Sequence, residues 1–158
     1  MQSLLIATHV GAPIDFVFAC ALDVPRWPER IPGIKAVEVL SSGPIQVGTR
    51  FRETREMYGR LATEEMEFTA LDPPRSFTLE AHAHGTHYLA RHSFDPDGAG
   101  TRMRMEFAGK PESLFARMMM PLGWLMTNSV RKLLLADLEA LKGAIERDYS
   151  AQGSGHAS

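Results

Sequence analysis

Cysteine is almost missing from this chain. Cys20 is the only one in 158 residues, so no internal disulfide can form. It stands among Phe18, Ala19 and Ala21, where a buried thiol is expected rather than a nucleophile. Long apolar runs are missing too. Nothing approaches the ~18 residues of a membrane span, and the N-terminus lacks the basic and apolar regions of a signal peptide. The expectation is a cytoplasmic protein with no stable membrane association. Charge of one sign is not in excess: 17 Lys and Arg face 19 Asp and Glu, with no basic run, which argues against a nucleic-acid partner. No phosphate-binding glycine loop, zinc-ligand spacing or serine-nucleophile elbow occurs, so neither cofactor nor metal is expected.

What is present reads as one α+β domain over residues 1–149, followed by a small, polar tail at 150–158 expected to be disordered. Leu4 to Val10 alternates as a strand does. Pro13 suits the first turn of a helix with the stripe Ile14, Val17, Phe18 and Ala21, which Pro25 stops; Trp27 to Ile31 is at most a short second helix. From Ile34 to Gly109 strand follows strand, with turn signals at Ser42-Gly43-Pro44, Tyr58-Gly59, Asp72-Pro73-Pro74, Gly85-Thr86 and Asp95 to Gly100. Such short connections make antiparallel hairpins, seven strands in all with the first. Lys110-Pro111-Glu112-Ser113 opens a helix running to about Tyr149, which Pro121 and Gly123 should kink or divide. Its stripe runs through Leu114, Met118, Leu122, Leu125, Val130, Leu133, Leu138, Leu141 and Ile145.

Side chains alternate along strands, so each hairpin sorts its residues into faces. A turn at Tyr58-Gly59 pairs Arg52 with Glu65, Arg50 with Glu67 and Thr54 with Thr63 on the outside. Inside, it sets Phe51 against Met66 and Thr49 against Phe68. It also sets Glu53 directly against Glu64, with Arg55 one step along; like charges facing each other on a sheet cost stability, which marks the place as a candidate site. A turn at Gly85-Thr86 pairs Ala83 with Tyr88, Ala81 with Ala90, Leu79 with His92 and Phe77 with Phe94. Carried onward, it sets His92, Ala90 and Tyr88 beside Met103, Met105 and Phe107.

The motifs Ala12-Pro13-Ile14-Asp15-Phe16-Val17-Phe18, Trp27-Pro28, Val47-Gly48-Thr49, Asp72-Pro73-Pro74-Arg75, Gly100-Thr101 and Leu138 to Glu146 occur in an order that resembles one superfamily. It is the START and birch-pollen-allergen superfamily, also called SRPBCC. Within it the chain, from Ser3 to Arg147, looks like the polyketide cyclase/dehydrase and lipid-transport group. The resemblance implies a helix-grip fold, in which a curved seven-stranded antiparallel sheet wraps a long C-terminal helix around a ligand tunnel. It implies no particular catalytic set, since members bind lipids, sterols, hormones or polyketides and some act as cyclases.

The expected ligand is therefore a hydrophobic or amphipathic small molecule, held between sheet and helix by a monomer or homodimer. Small Ala81 and Ala90, with Ala83, leave volume where large side chains would otherwise fill the interior. Met66, Phe68, Leu79, Met103, Met105, Phe107, Met118, Leu122 and Met126, with Phe51, make the apolar wall, and methionine adapts to varied ligands. Glu53, Arg55, Glu64, Tyr88 and His92 are the polar groups that would orient a ligand. Trp27, Pro121 and Gly123 mark the expected gate. The rival reading is a cyclase or dehydratase using Glu53 or Glu64 with His92 and Tyr88 as acid and base; a second rival is an adaptor for another protein. His82, His84 and His87 cluster on the outer face with no carboxylate beside them, and are expected to be solvated.

Overall fold

The computed structural model describes residues 2–120 and 127–155. Strand β1 (Gln2–Val10) leads through α1 (Ile14–Leu22), a 3-10 turn (Val24–Arg26) and α2 (Trp27–Arg30) into six further strands. These are β2 (Ile34–Val39), β3 (Arg50–Met57), β4 (Arg60–Asp72), β5 (Ser76–Ala83), β6 (Thr86–Asp97) and β7 (Gly100–Pro111). Two described helices follow, α3 (Leu114–Met118) and α4 (Thr127–Gly155). The strands form one antiparallel sheet in the order β1-β7-β6-β5-β4-β3-β2. Every pair but the closing β1–β7 is thus a connection between consecutive strands.

The sheet curls until its two edges reach the same helix. Arg131 of α4 donates to the Leu5 carbonyl of β1 at 3.3 Å. Less than two turns later, Asp137 pairs with Arg55 of β3 at 2.8 Å. At its far end the helix holds the β1–α1 junction, where the Gly11 amide donates to Glu146 at 2.8 Å. The buried residues of α4 are Leu138, Leu141, Ala144 and Ile145, none of them before Leu138.

The core sits under the stretch from Leu138 to Ile145. Phe51, Phe68, Phe77 and Phe94, from β3 to β6, are fully buried and touch in sequence, at 5.7 Å between the first two pairs of rings and 6.0 Å between the last. Phe18 of α1 meets Phe77 and Phe94 edge-on, and Trp27 of α2 meets Phe51 in the same way. Four phenylalanines on one inner face follow from the strand period, and the two short helices are the lid that keeps water from them. Cys20 is buried in this layer, as expected, and burial pushes its thiol pKa up.

Three expectations need correction. The hairpin turn of β5 and β6 is His84-Gly85, both at positive φ (52° and 73°), so Ala81 faces Tyr88, Leu79 faces Ala90 and Phe77 faces His92. A two-residue turn of this twist takes glycine second, as the correctly read Tyr58-Gly59 turn also does. The β6–β7 pairs move likewise, with His92 against Met105, Ala90 against Phe107 and Tyr88 against Gly109. Each slip is by two residues, so every side chain keeps its face. Next, Lys110 and Pro111 do not open a helix; they pair with His87 and Thr86, and Ser113 caps α3 instead. Lastly, α4 continues through Ser150 to Gly155, where a disordered tail was expected.

Candidate functional site

The inner face of the sheet carries a cluster of charged side chains. Glu53 of β3 is buried, and directly opposite it stands Glu64 of β4, as the strand pattern requires. Arg55, two residues on and therefore on the same face, folds back and donates from Nε to Glu53 Oε1 at 2.8 Å. Its Nη1 reaches Asp137 Oδ2 of α4, also at 2.8 Å. One guanidinium thus bridges two carboxylates, one on the sheet and one on the helix.

Burial is the largest influence on both acids and raises both pKa values; Arg55 pulls each back only in part. Glu64 is the smallest contributor to the rise at Glu53, so the facing carboxylates matter less than desolvation. Burial alone would weaken the base Arg55, but Glu53 and Asp137 outweigh it and its pKa is raised. Two carboxylates on one permanent cation leave the cluster an excess negative charge, which a proton or a ligand donor can relieve. Asp137 was missed by sequence reasoning. Its signal is an acid within the apolar stripe, one turn from Leu133, Leu134 and Leu141.

His92 does not belong to this cluster. It faces Phe77, which faces Leu71, and Leu71 is seven residues from Glu64 along β4; the two are therefore about 20 Å apart along the strands. The ring stacks on Phe77 at 4.6 Å, is buried, and leaves Nδ1 without a hydrogen-bond partner. Burial lowers its pKa to about 4. Acid–base cooperation of His92 with Glu64 is excluded by that separation.

The wall residues divide. Phe51, Phe68, Leu79 and Met103 are packed into the core and leave no room for a ligand at that level. Toward the β3–β4 and β5–β6 turns, Met66, Ala83, Tyr88, Ala90 and Phe107 remain half-buried, and Tyr88 stacks on Phe107 at 5.7 Å. Ala81, which faces Tyr88, and Met105, which faces His92, are buried. On α4, Val130, Leu133, Leu134 and Asp137 are likewise only half-buried. Met118 points to solvent at 71% exposure, because α3 buries none of its residues, and so does not line this space. Trp27 is buried and its indole donates to the Ala21 carbonyl at 3.0 Å. Leu122, Met126, Pro121 and Gly123 lie outside the described residues.

The histidines also need revision. His82 and His87 stack in parallel at 4.5 Å, and carboxylates do stand beside them: Glu80 at 2.6 Å from His87 and Glu112 at 3.3 Å from His82. Parallel rings do not converge on a point, and among the described residues no cluster has metal-binding geometry. Two open grooves, of about 510 and 350 Å³, lie elsewhere. One runs between α1 and the end of α4, past Asp23, Arg26, Arg30 and Asp148; the other crosses the outer sheet face past Arg75, Arg91, Asp95 and Arg104. Both are rimmed by charge of both signs.

Residues 1–146 match the family described as polyketide cyclase / dehydrase and lipid transport. The chain belongs to that family. The resemblance drawn from its motifs is thereby established, and the helix grip agrees with the family's solved folds. The chain is similar to the Zhui aromatase/cyclase from Streptomyces sp. R1128, at 22% identity and a TM-score of 0.74, covering 96% of this chain and 98% of that one. It is similar to Ara h 8.0201 at 13% identity and a TM-score of 0.71, covering 91% and 97%. A third likeness is to the di-domain aromatase/cyclase StfQ of the steffimycin biosynthetic pathway, at 13% identity and a TM-score of 0.74, covering 94% of this chain and 51% of that one. At these identities the likeness is one of fold. No curated protein sequence matches the chain. Among the described residues no helix is long and apolar enough to cross a membrane.

Proposed function

We propose that this family member binds a hydrophobic or amphipathic small molecule, of lipid, polyketide or aromatic type, between the sheet and the first half of α4. The observation that carries the reading is the unequal filling of one continuous inner face. Phenylalanines close it beneath Leu138 to Ile145, whereas Met66, Ala83, Tyr88, Ala90 and Phe107 are only half-buried, as are Val130, Leu133, Leu134 and Asp137 of α4. A protein interior normally packs without voids, so apolar surface left accessible on a concave face is ligand surface. Arg55, held between Glu53 and Asp137, is the polar group that would orient the apolar molecule. The family and the aromatase/cyclase folds support the same class of ligand.

An environment-sensitive apolar dye such as anilinonaphthalene sulfonate tests this. The dye should fluoresce with the folded protein, and Ala90→Trp should abolish that signal while the circular dichroism spectrum is kept. Undiminished fluorescence in folded Ala90→Trp would place the dye elsewhere and end the proposal.

A second reading is favoured by the raised pKa values of Glu53 and Asp137: a protonated carboxyl beside a bound polyketide is a general acid for cyclisation or loss of water. Turnover of a polyketide thioester that disappears in Asp137→Asn, with binding retained, would convert the binding protein into an enzyme.

A further inference from the structure

Helix α3 is an anomaly in a folded chain: it buries none of its residues. Leu114, Phe115 and Met118 are 76%, 70% and 71% exposed, and Met119 and Met120 are exposed beyond them. Polar contacts rather than burial hold the segment in place. The Gly85 carbonyl, at the tip of the β5–β6 hairpin, accepts from the amides of Glu112 and Ser113 at 2.8 and 3.1 Å. The Ser113 hydroxyl then caps the helix by accepting from the Ala116 amide at 3.0 Å. The apolar side chains are left free to face outward from that end of the sheet. Tyr58 and Leu61, at the β3–β4 turn on the same end, are also exposed, at 63% and 69%.

The charge along this stretch of chain is mostly positive. From Lys110 to Ala136 the cations are Lys110, Arg117, Arg131 and Lys132, against one acid, Glu112, in a chain whose net charge is −2. Lys110 and Arg117, before and within α3, are the two cations that stand at this end; Arg131 is fastened at mid-strand on β1, opposite Glu106. Exposed Leu, Phe and Met beside cations match an anionic bilayer surface, whose interface takes apolar side chains while its headgroups attract lysine and arginine. A second copy of this chain fits less well, because a two-fold contact through α3 would bring Arg117 toward its own counterpart.

We propose that this end of the molecule docks reversibly on an anionic lipid surface, with Leu114, Phe115 and Met118 entering the interface and Lys110 and Arg117 meeting the headgroups. The docking is independent of any ligand in the interior, so the test uses vesicles alone. The protein should sediment with mixed phosphatidylcholine–phosphatidylglycerol vesicles and not with phosphatidylcholine alone, and added salt should release it. The double variant Phe115→Ser/Met118→Ser and the single variant Arg117→Glu should each weaken sedimentation roughly tenfold, with unchanged circular dichroism because all three positions are exposed. Equal sedimentation of wild type and both variants would overturn the proposal. So would failure of the wild type to bind mixed vesicles, including the case in which it forms a concentration-dependent dimer that the double variant dissolves.

Discussion

His92 is buried against Phe77 with Nδ1 unpartnered, and its pKa is lowered to about 4 because only the neutral ring tolerates that position. A histidine whose folded pKa lies below its unfolded one contributes stability above the unfolded value, lost as pH falls through the folded value. The window here runs from the ordinary histidine range near 6.5 down to about 4, and the loss across it is roughly 3 kcal/mol. Glu53 and Asp137 act in the opposite sense. Their raised values make stability complete below the ordinary carboxylate range and diminish it as pH rises through the folded values. The wild-type profile therefore mixes two slopes, and a difference measurement separates them. Urea unfolding at pH 7.5 and 4.5 should show that His92→Phe, which keeps a stacked ring, loses less stability on acidification than the wild type. Identical losses would mean that the ring is solvated and titrates normally.

At the scale of elements, the two-residue hairpins determine what the ends of the sheet can carry. Gly59 and Gly85 occupy equivalent turn positions, with φ of 77° and 73°. A Cβ on Gly59 would meet open space, whereas a Cβ on Gly85 would run into the Ser113 side chain. Gly59→Ala should therefore cost only the left-handed backbone term, about 1–2 kcal/mol. Gly85→Ala should cost that and also displace the start of α3. Thermal unfolding of the two variants should separate them, and proteolysis near Phe115 should accelerate only in Gly85→Ala. Equal behaviour of the pair would show that α3 is not seated on the hairpin.

For the whole molecule, the Glu53–Arg55–Asp137 bridge matters because it spans the grip, from the inner face near one sheet edge to the helix that also holds the other edge. Removing the cation leaves the desolvated carboxylates of Glu53 and Asp137 without their counter-ion, so Arg55→Met should destabilise the protein by about 3–5 kcal/mol at neutral pH. Glu53→Gln should cost little, since Arg55 keeps Asp137 and a burdened buried charge is gone. Denaturant midpoints for the two variants decide the point; equal losses would mean that the bridge is ordinary packing.

The fold was legible in the chain because it rests on local rules: a period of two in the strands, glycine at tight turns, and proline at helix limits. These are enough for seven antiparallel strands, for the face each residue takes, and for Glu53 opposite Glu64. Register over β5 to β7 was read two residues out, since the period of two does not distinguish such slips and only the His84-Gly85 turn geometry does. The split of the inner face into a fully buried part and a half-buried part could not be read from alternation, which treats Phe68 and Met66 alike. What divides them is which part of α4 and which short helices lie above. Asp137 became part of the site for the same reason. It is 82 residues from Arg55 in sequence, and only the curl of the sheet, which brings both edges to one helix, places the two side chains in contact.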